Sequence, residues 1–351
     1  MSGRGEKYTR NVAQRVNRRA VVGGSIGGVE WMSEDERQYQ ARVDLELAGS
    51  RLDQVLPQLF PEFSRTRLQQ WVRAGRVSCN GEAVTRPRQK LFGGETLGLR
   101  AQLEDQVENR PQPIPLDLRY QDDAIIVVNK PAGLVVHPAA GNPDGTLQNA
   151  LLHFDPGLIQ LPRAGIVHRL DKETSGLLVI ARTVAAHKFL VERLQAREIS
   201  REYLAVVRGL PTTGGRVDAP IGRDPHHRTR MAVVAGGKPA VTHYRIEARF
   251  RAHAALQVSL ESGRTHQIRV HMAHIRYPLV GDPSYGGRFA MPAGASPALQ
   301  TALRGFTRQA LHARRLGLVH PQSGEWVEWS AEPPEDLQGL LRALREDAMD
   351  E

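Results

Sequence analysis

The stretch "HRLDKETSGLLVIAR" runs from His168 to Arg182 and sets His168, Arg169, Asp171, Lys172 and Glu173 directly before an apolar run, Leu177 to Ala181. One carboxylate in such a cluster can act as a nucleophile or a base on a substrate. Arg169 and Lys172 put positive charge on either side of Asp171. A solvated turn ahead of a strand has the same composition. For any single aspartate judged by position alone, the structural turn is the better reading. The rest of the chain has to decide between them.

Other chemistries are tested by their spacings. The chain has no G-x-S-x-G elbow, no H-E-x-x-H pair and no G-x-x-x-x-G-K-[ST] phosphate loop, and "GGKPAV" at Gly236 fails the last of these. The glycines of "VVGGSIGG" do not follow the dinucleotide spacing G-x-G-x-x-G. His266, His271 and His274 fall on one predicted helix, with 271 and 274 on one face and 266 apart. With no cysteine or carboxylate nearby, core or RNA contacts suit them better than a metal. His226-His227 in "GRDPHHRTR" reads as a polar loop against RNA. Cys79 is the single cysteine, which excludes a disulfide framework and a cysteine-rich zinc site and fits a reducing cytoplasm. The expectation is a chemistry without metal or cofactor.

The 351 residues carry a net charge of +9, and the sequence pI is about 10.0. A basic soluble chain commonly meets a polyanion, and nucleic acid is the leading candidate. No apolar run approaches the roughly 20 residues of a membrane span, and the N-terminus lacks the apolar core of a secretory signal.

The elements that must position these residues follow from patterning. Residues 1–38 read as a flexible basic tail with Arg4, Lys7, Arg10, Arg15, Arg18 and Arg19. Met32 opens "MSEDERQYQ" as an alternative start. Residues 44–104 form a small unit. "SRLDQVLPQLFP" places Leu52, Val55, Leu56 and Leu59 on one helical face. Ser64 is the expected cap of a second helix with Leu68, Trp71 and Val72 inward and Gly75 at its end. Short strands follow, with Asn80-Gly81 as a hairpin turn. Residues 105–114 are polar and proline-rich, as a linker is. From residue 115 to 351 a larger α+β domain is expected. "AIIVVNKP", "GLLVIAR", "REYLAVVRG", "AVTHYRIEARF" and "AALQVSLESG" are its strands. Thr183 caps one helix, Thr265 caps "HQIRVHMAHI", and Leu337, Leu340, Leu341 and Leu344 mark an amphipathic end helix.

Arg65, Arg67, Arg73 and Arg76 lie on or beside the second small-unit helix, followed by Arg86, Arg88 and Lys90. Such a surface binds phosphate backbones without reading sequence. "SRLDQVL…SRTRLQQWVRAGRVSCNG" resembles the S4 RNA-binding module. "HRLDKETSGLLVIART", in turn, resembles the signature of the RluA family of pseudouridine synthases. The blocks "VVNKPAGLVVHP", "REYLAVVRG", "PIGRDPHHRTRMAV", "GKPAVTHYRI", "SGRTHQIRVHMAHIRYPLVGDPSYGG" and "RQALHARRLGLVHPQSG" agree with it. The likeness spans about Asp44 to Asp347.

The resemblance implies a catalytic domain built on a mixed, largely antiparallel sheet with flanking helices. It implies that Asp171 is the catalytic aspartate, Tyr203 the ring that stacks on the target base, and Arg269 the partner of the aspartate. Arg169 would help to displace the flipped nucleotide. His168 and Lys130 are expected to contact RNA, as are the small-unit arginines. One departure is Arg201, where the family often has lysine two residues before the tyrosine. The implied reaction breaks the uridine N1–C1′ bond, rotates the base and rejoins it through C5, with the target base taken out of its stack. The implied substrate is large-subunit ribosomal RNA, free or in a pre-ribosomal 50S particle, at the helix 69 stem-loop, acted on by a monomer with no membrane partner. The competing readings are a non-catalytic RNA-binding assembly factor and a hydrolase. The set Asp171, Tyr203 and Arg269 argues against the first, and the lack of an evident partner carboxylate argues against the second.

Overall fold

The structure is a computed structural model that describes residues 36–61, 63, 65–102, 110–139, 141–227 and 229–349. The chain divides into two compact units, Met1–Gln106 and Val107–Glu351. Residues 1–35, most of the expected tail, lie outside the described residues, as do 103–104 at the end of the expected small unit, 105–109 of the expected linker and the expected cap Ser64.

In the small unit, β1 (Glu36–Arg42), β4 (Thr96–Gln102), β2 (Val77–Cys79) and β3 (Glu82–Val84) form a sheet in that order, with helices α1 (Leu52–Leu59) and α2 (Arg65–Arg73). Leu52, Val55 and Leu56 of α1 meet Leu68 and Val72 of α2 over Val77, Leu97 and Leu99. Tyr39, Phe63 and Trp71 continue this core as edge-to-face rings at 5.2 and 4.9 Å. The β2–β3 turn needs positive φ at both central residues, and Asn80 (51°) and Gly81 (91°) supply it. Strand β1 begins inside the stretch that composition reads as tail. Its sequence, ERQYQAR, is polar at nearly every position, so its pairing with β4 along its whole length leaves no hydrophobic signal.

The large unit is organised by a nine-stranded sheet with the order β5 (Leu118–Gln121), β6 (Ile125–Lys130), β7 (Ser175–Ala181), β14 (Leu311–Val319), β8 (Ser200–Arg208), β13 (His253–Leu260), β12 (Val241–Arg249) and β9 (Gly215–Asp218). Strand β15 (Trp326–Ser330) pairs with β14. Every pairing is antiparallel except β7 with β14, where Ser175 faces His312 and Gly176 faces Ala313. Gly176 sits at φ 118°, and a Cβ there would lie 2.3 Å from the Ala313 carbonyl oxygen, so this junction admits only glycine. Strands β10 (Ile221–Arg223) and β11 (Met231–Val233) make a separate hairpin.

Helices α3 (Leu147–Phe154), α4 (Val184–Ala196), α5 (Gln267–His274), α6 (Pro297–Gly305) and α7 (Glu335–Met349) flank the sheet. The α4 cap is as predicted, with Thr183 accepting from the Ala186 amide. Leu337, Leu340, Leu341 and Leu344 of α7 pack with Leu299 and Leu303 of α6. No described helix is long and apolar enough to cross a membrane. The expected Thr265 cap is not used. Helix α5 starts after His266, which takes a left-handed conformation (φ 58°, ψ 20°). The Gln267 side chain takes the Arg264 amide instead (3.0 Å).

Candidate active site

Asp171 lies in an irregular segment, four residues ahead of the start of β7. That segment is tied to the sheet from behind. Lys130, 1% exposed at the end of β6, donates to the carbonyls of Pro131, Leu134 and Lys172 at 2.8, 2.9 and 2.9 Å. The Gly133 amide also reaches the Lys172 carbonyl (2.9 Å). Arg308 donates to the Glu173 carbonyl (3.2 Å), and Gln309 to Thr174 Oγ1 (3.1 Å). The expected RNA contact through Lys130 is therefore corrected. Its three protons go to backbone acceptors inside the fold, which leaves none for a phosphate. Burial pushes its pKa down to about 7, while the nearby Glu173 and Asp171 charges pull the other way.

His168 is also turned away from the expected RNA contact, although its Nδ1 has no hydrogen-bond partner. Its ring turns inward, where Nε2 accepts from the Val179 amide of β7 (3.2 Å), and burial followed by the Arg201 charge takes its pKa down to about 3. It is a neutral brace for the segment. Arg169 remains exposed next to the carboxylate.

Helix α5 brings Arg269 to Asp171. The helix is pinned to β12 and to the residue after β9: His271 Nδ1 meets Thr242 Oγ1 (2.8 Å), Gln267 donates to the Val241 carbonyl (2.9 Å), and His271 Nε2 meets the Ala219 carbonyl (2.9 Å). Both nitrogens of His271 are thus engaged in the core. Arg269 Nη1 donates to Asp171 Oδ2 at 3.1 Å. Its other face is held bidentately by Asp282, with Nε to Oδ2 at 2.7 Å and Nη2 to Oδ1 at 2.9 Å. The guanidinium also lies 5.0 Å from the centre of the Tyr285 ring.

Asp282 is fixed in turn by the amides of Ser284 (2.8 Å) and Tyr285 (3.0 Å). Burial opposes its charge, yet the hydrogen bonds and charge of Arg269 and these two amides hold its pKa below the usual carboxylate value. The preceding Gly281 (φ 71°) packs so closely that a Cβ would stand 2.2 Å from the Arg308 carbonyl oxygen. Tyr203, 5% exposed on β8 between Val258 of β13 and Ala313 of β14, has its phenol pKa raised by burial and by the Asp171 charge. It sits in the same apolar cluster as Leu170 and Ile268, the neighbours in sequence of Asp171 and Arg269.

Residues 124–274 match the family model of RNA pseudouridylate synthase, and residues 50–97 match that of the S4 domain. A protein of Xanthomonas campestris pv. campestris named ribosomal large subunit pseudouridine synthase D is 57% identical over 314 residues, covering 90% of this chain and 95% of that protein. The protein of the same name from Escherichia coli K12 is 55% identical over 310 residues, covering 88% and 95%. The chain belongs to the RNA pseudouridylate synthase family. The synthase is also similar to the solved structure of human RNA pseudouridylate synthase domain containing 4, at TM-score 0.52 and 25% identity, covering 65% of this chain and 92% of that one.

The structure thus brings Asp171 and Arg269 together, leaves Arg169 exposed two residues before Asp171, and places Tyr203 in the adjoining core. In the small unit of the synthase, Arg65 bonds Asp53 (3.3 Å), Arg67 lies 5.1 Å above the Trp71 ring, and Arg73 is exposed at the end of α2. Arg76 follows α2 and is half-buried. Sequence reasoning missed Asp282 and Tyr285 as members of the site. Both fall within the quoted block "VGDPSYGG", and an Asp followed by Pro-Ser is an Asx-turn signal, but nothing in that spacing says which arginine the carboxylate faces.

Proposed function

We propose that the synthase isomerises uridines of large-subunit ribosomal RNA, at the clustered uridines of the helix 69 stem-loop. The arrangement that carries this reading is one carboxylate, Asp171, with one oxygen on a buried arginine that is itself locked by a second carboxylate. Asp171 acts on the ribose of a flipped uridine, either by attack at C1′ or by removal of the 2′ proton. Arg269 holds it in place, Tyr203 presents its ring to the extruded base, and Arg169 fills the space that the base leaves. The small unit supplies phosphate contacts that set register through Arg65, Arg67, Arg73 and Arg76. The names of the relatives support the ribosomal substrate.

The test is incubation with large-subunit RNA labelled with tritium at uridine C5. Tritium release from the helix 69 uridines is expected, and Asp171→Asn should reduce it to background while RNA affinity changes little. Free uracil in place of tritium release would mean hydrolysis, and neither product would mean binding alone. An active Asp171→Asn enzyme would remove the assignment of the aspartate.

A further inference from the structure

Asp171 has two oxygens, and Arg269 takes only one. Oδ2 accepts from Nη1 at 3.1 Å, while Oδ1 faces His266 Nε2 across 3.9 Å. That gap is longer than a hydrogen bond, and a movement of less than about 1 Å closes it. Catalytic contacts are commonly long before substrate arrives and tighten in the complex.

His266 is held for this contact. It occupies the left-handed region at φ 58° and ψ 20°, a conformation that a non-glycine residue adopts only when its surroundings impose it. Its other nitrogen, Nδ1, meets the Tyr285 hydroxyl at 2.7 Å. The same hydroxyl oxygen accepts the Met231 amide from β11 at 2.9 Å. A phenol that takes in one N–H has its own proton free to give to Nδ1. The neutral ring then carries its proton on Nε2, which is also what the facing carboxylate favours, since a lone pair there would meet an anion. Burial keeps the histidine pKa below its ordinary value, against the pull of the Asp171 charge.

We propose that His266 is a positioning residue of the reaction, whose Nε2–H, aimed by the Tyr285 hydroxyl, orients Asp171 Oδ1 as the oxygen that acts on the ribose. The inference deepens the reading of Asp171 as the reactive carboxylate and rests on it. Nothing in the Arg269–Asp282 clamp does this work, because that clamp reaches only Oδ2.

The experiment uses the full-length enzyme and a helix 69 stem-loop RNA tritiated at uridine C5, read as single-turnover rate and as RNA Kd. His266→Asn suits the left-handed backbone but carries an amide too short to reach Oδ1. Its rate should fall about ten- to a hundredfold, the range for losing a hydrogen bond to a charged group. Its Kd should stay within about twofold of wild type, because every phosphate-binding arginine is kept. His266→Gln restores a donor near the Nε2 position and should recover most of that rate. Tyr285→Phe keeps the ring beside Arg269 and removes only the hydroxyl. It should slow the parent enzyme but cost nothing further in the His266→Gln background, because an amide has no tautomer to be set. An equal cost of Tyr285→Phe in both backgrounds overturns the proposal, and so does wild-type turnover by His266→Asn. If His266→Asn fails to fold, the Tyr285→Phe and His266→Gln pair decides alone. Asp171→Asn separates the two readings. An active Asp171→Asn removes both, whereas an inactive one beside a fully active His266→Asn removes only the role of His266.

Discussion

Asp53 and Asp282 are both buried and both hold arginines, yet they serve opposite ends. In the small unit, Asp53 is 3% exposed and accepts from Arg51 (2.8 Å), Arg65 (3.3 Å) and Gln69 (3.1 Å). Its arginines are 38% and 58% exposed. The carboxylate clips α1 to α2, and the cationic heads stay largely in water. In the large unit, Asp282 is fully buried and its arginine, Arg269, is only 6% exposed. All of that cation is committed inward, with two bonds to Asp282 and one to Asp171. The pairing is chemically alike, but the exposure of the arginine decides its role. A guanidinium left in water offers charge to a polyanion, whereas one locked between two carboxylates fixes the geometry of one of them.

The sharpest way to break this comparison is Asp282→Asn. Arg269 then keeps its burial but loses the anion that compensates it, and breaking a buried pair from one side costs about 3–5 kcal/mol. Because Arg269 also loses its orientation toward Asp171, turnover should fall about a hundredfold, more than any change of RNA affinity. Near-normal turnover with an unaltered melting temperature would show that the clamp does not position Asp171.

Second in size is the removal of the water-facing charge. A chain beginning at Pro113 omits every small-unit arginine and none of the residues placed around Asp171. It should keep isomerisation chemistry while binding RNA more weakly. The slope of log K against log salt should become shallower by about 0.7–0.9 for each phosphate that is no longer neutralised. The short chain should also modify fewer of the clustered uridines, since it no longer holds register on the stem-loop. Equal slopes for the long and short chains would return the small-unit arginines to an ordinary solvated surface.

The smallest effect concerns Asp53 itself. Its pKa is held below the usual value by Arg51 and Arg65, against the opposing effect of burial. A carboxylate with a lowered folded-state pKa adds stability that is present above its unfolded value of about 3.9 and is lost as pH falls through the lower folded value. Protection of the α1 amides, taken relative to their intrinsic exchange rate at each pH, should therefore fall on acidification below about pH 4. Asp53→Asn should flatten that response at a cost of about 1–2 kcal/mol, with turnover intact. The same pH response from the variant would mean that other carboxylates set it.

What was legible in the sequence follows the same division between local and distant signals. The buried face of α1, the Asn80-Gly81 turn and the Thr183 cap are written within a few residues, where spacing and backbone preference decide. The charge cluster around Asp171 was visible because it is contiguous. Three features were not. Strand β1 is polar because edge pairing, not burial, defines it. Lys130 and His168 looked like surface groups for RNA, since nothing in one sequence distinguishes an ammonium facing a phosphate from one facing three carbonyls. Asp282 lies thirteen residues beyond Arg269, past the end of α5, so their meeting depends on how the chain turns back at Gly281. His266 stood out in the sequence only as one member of a histidine-rich helix. Its left-handed backbone replaced the expected Thr265 cap, because the Gln267 side chain serves the Arg264 amide.

The place of β14 has a consequence for how the enzyme comes into being. Strands β7 and β8 are neighbours in sequence, one following the Asp171 segment and the other carrying Tyr203, but in the sheet β14 lies between them. Residues 175–208 therefore cannot close their own sheet until residues 311–319 have been synthesised. Such long-range pairing is slow to form and leaves strand edges waiting. On the translating ribosome, the growing chain carries Asp171 and the Tyr203 ring on two unjoined half-sheets, and the final strands are the keystone that brings them together.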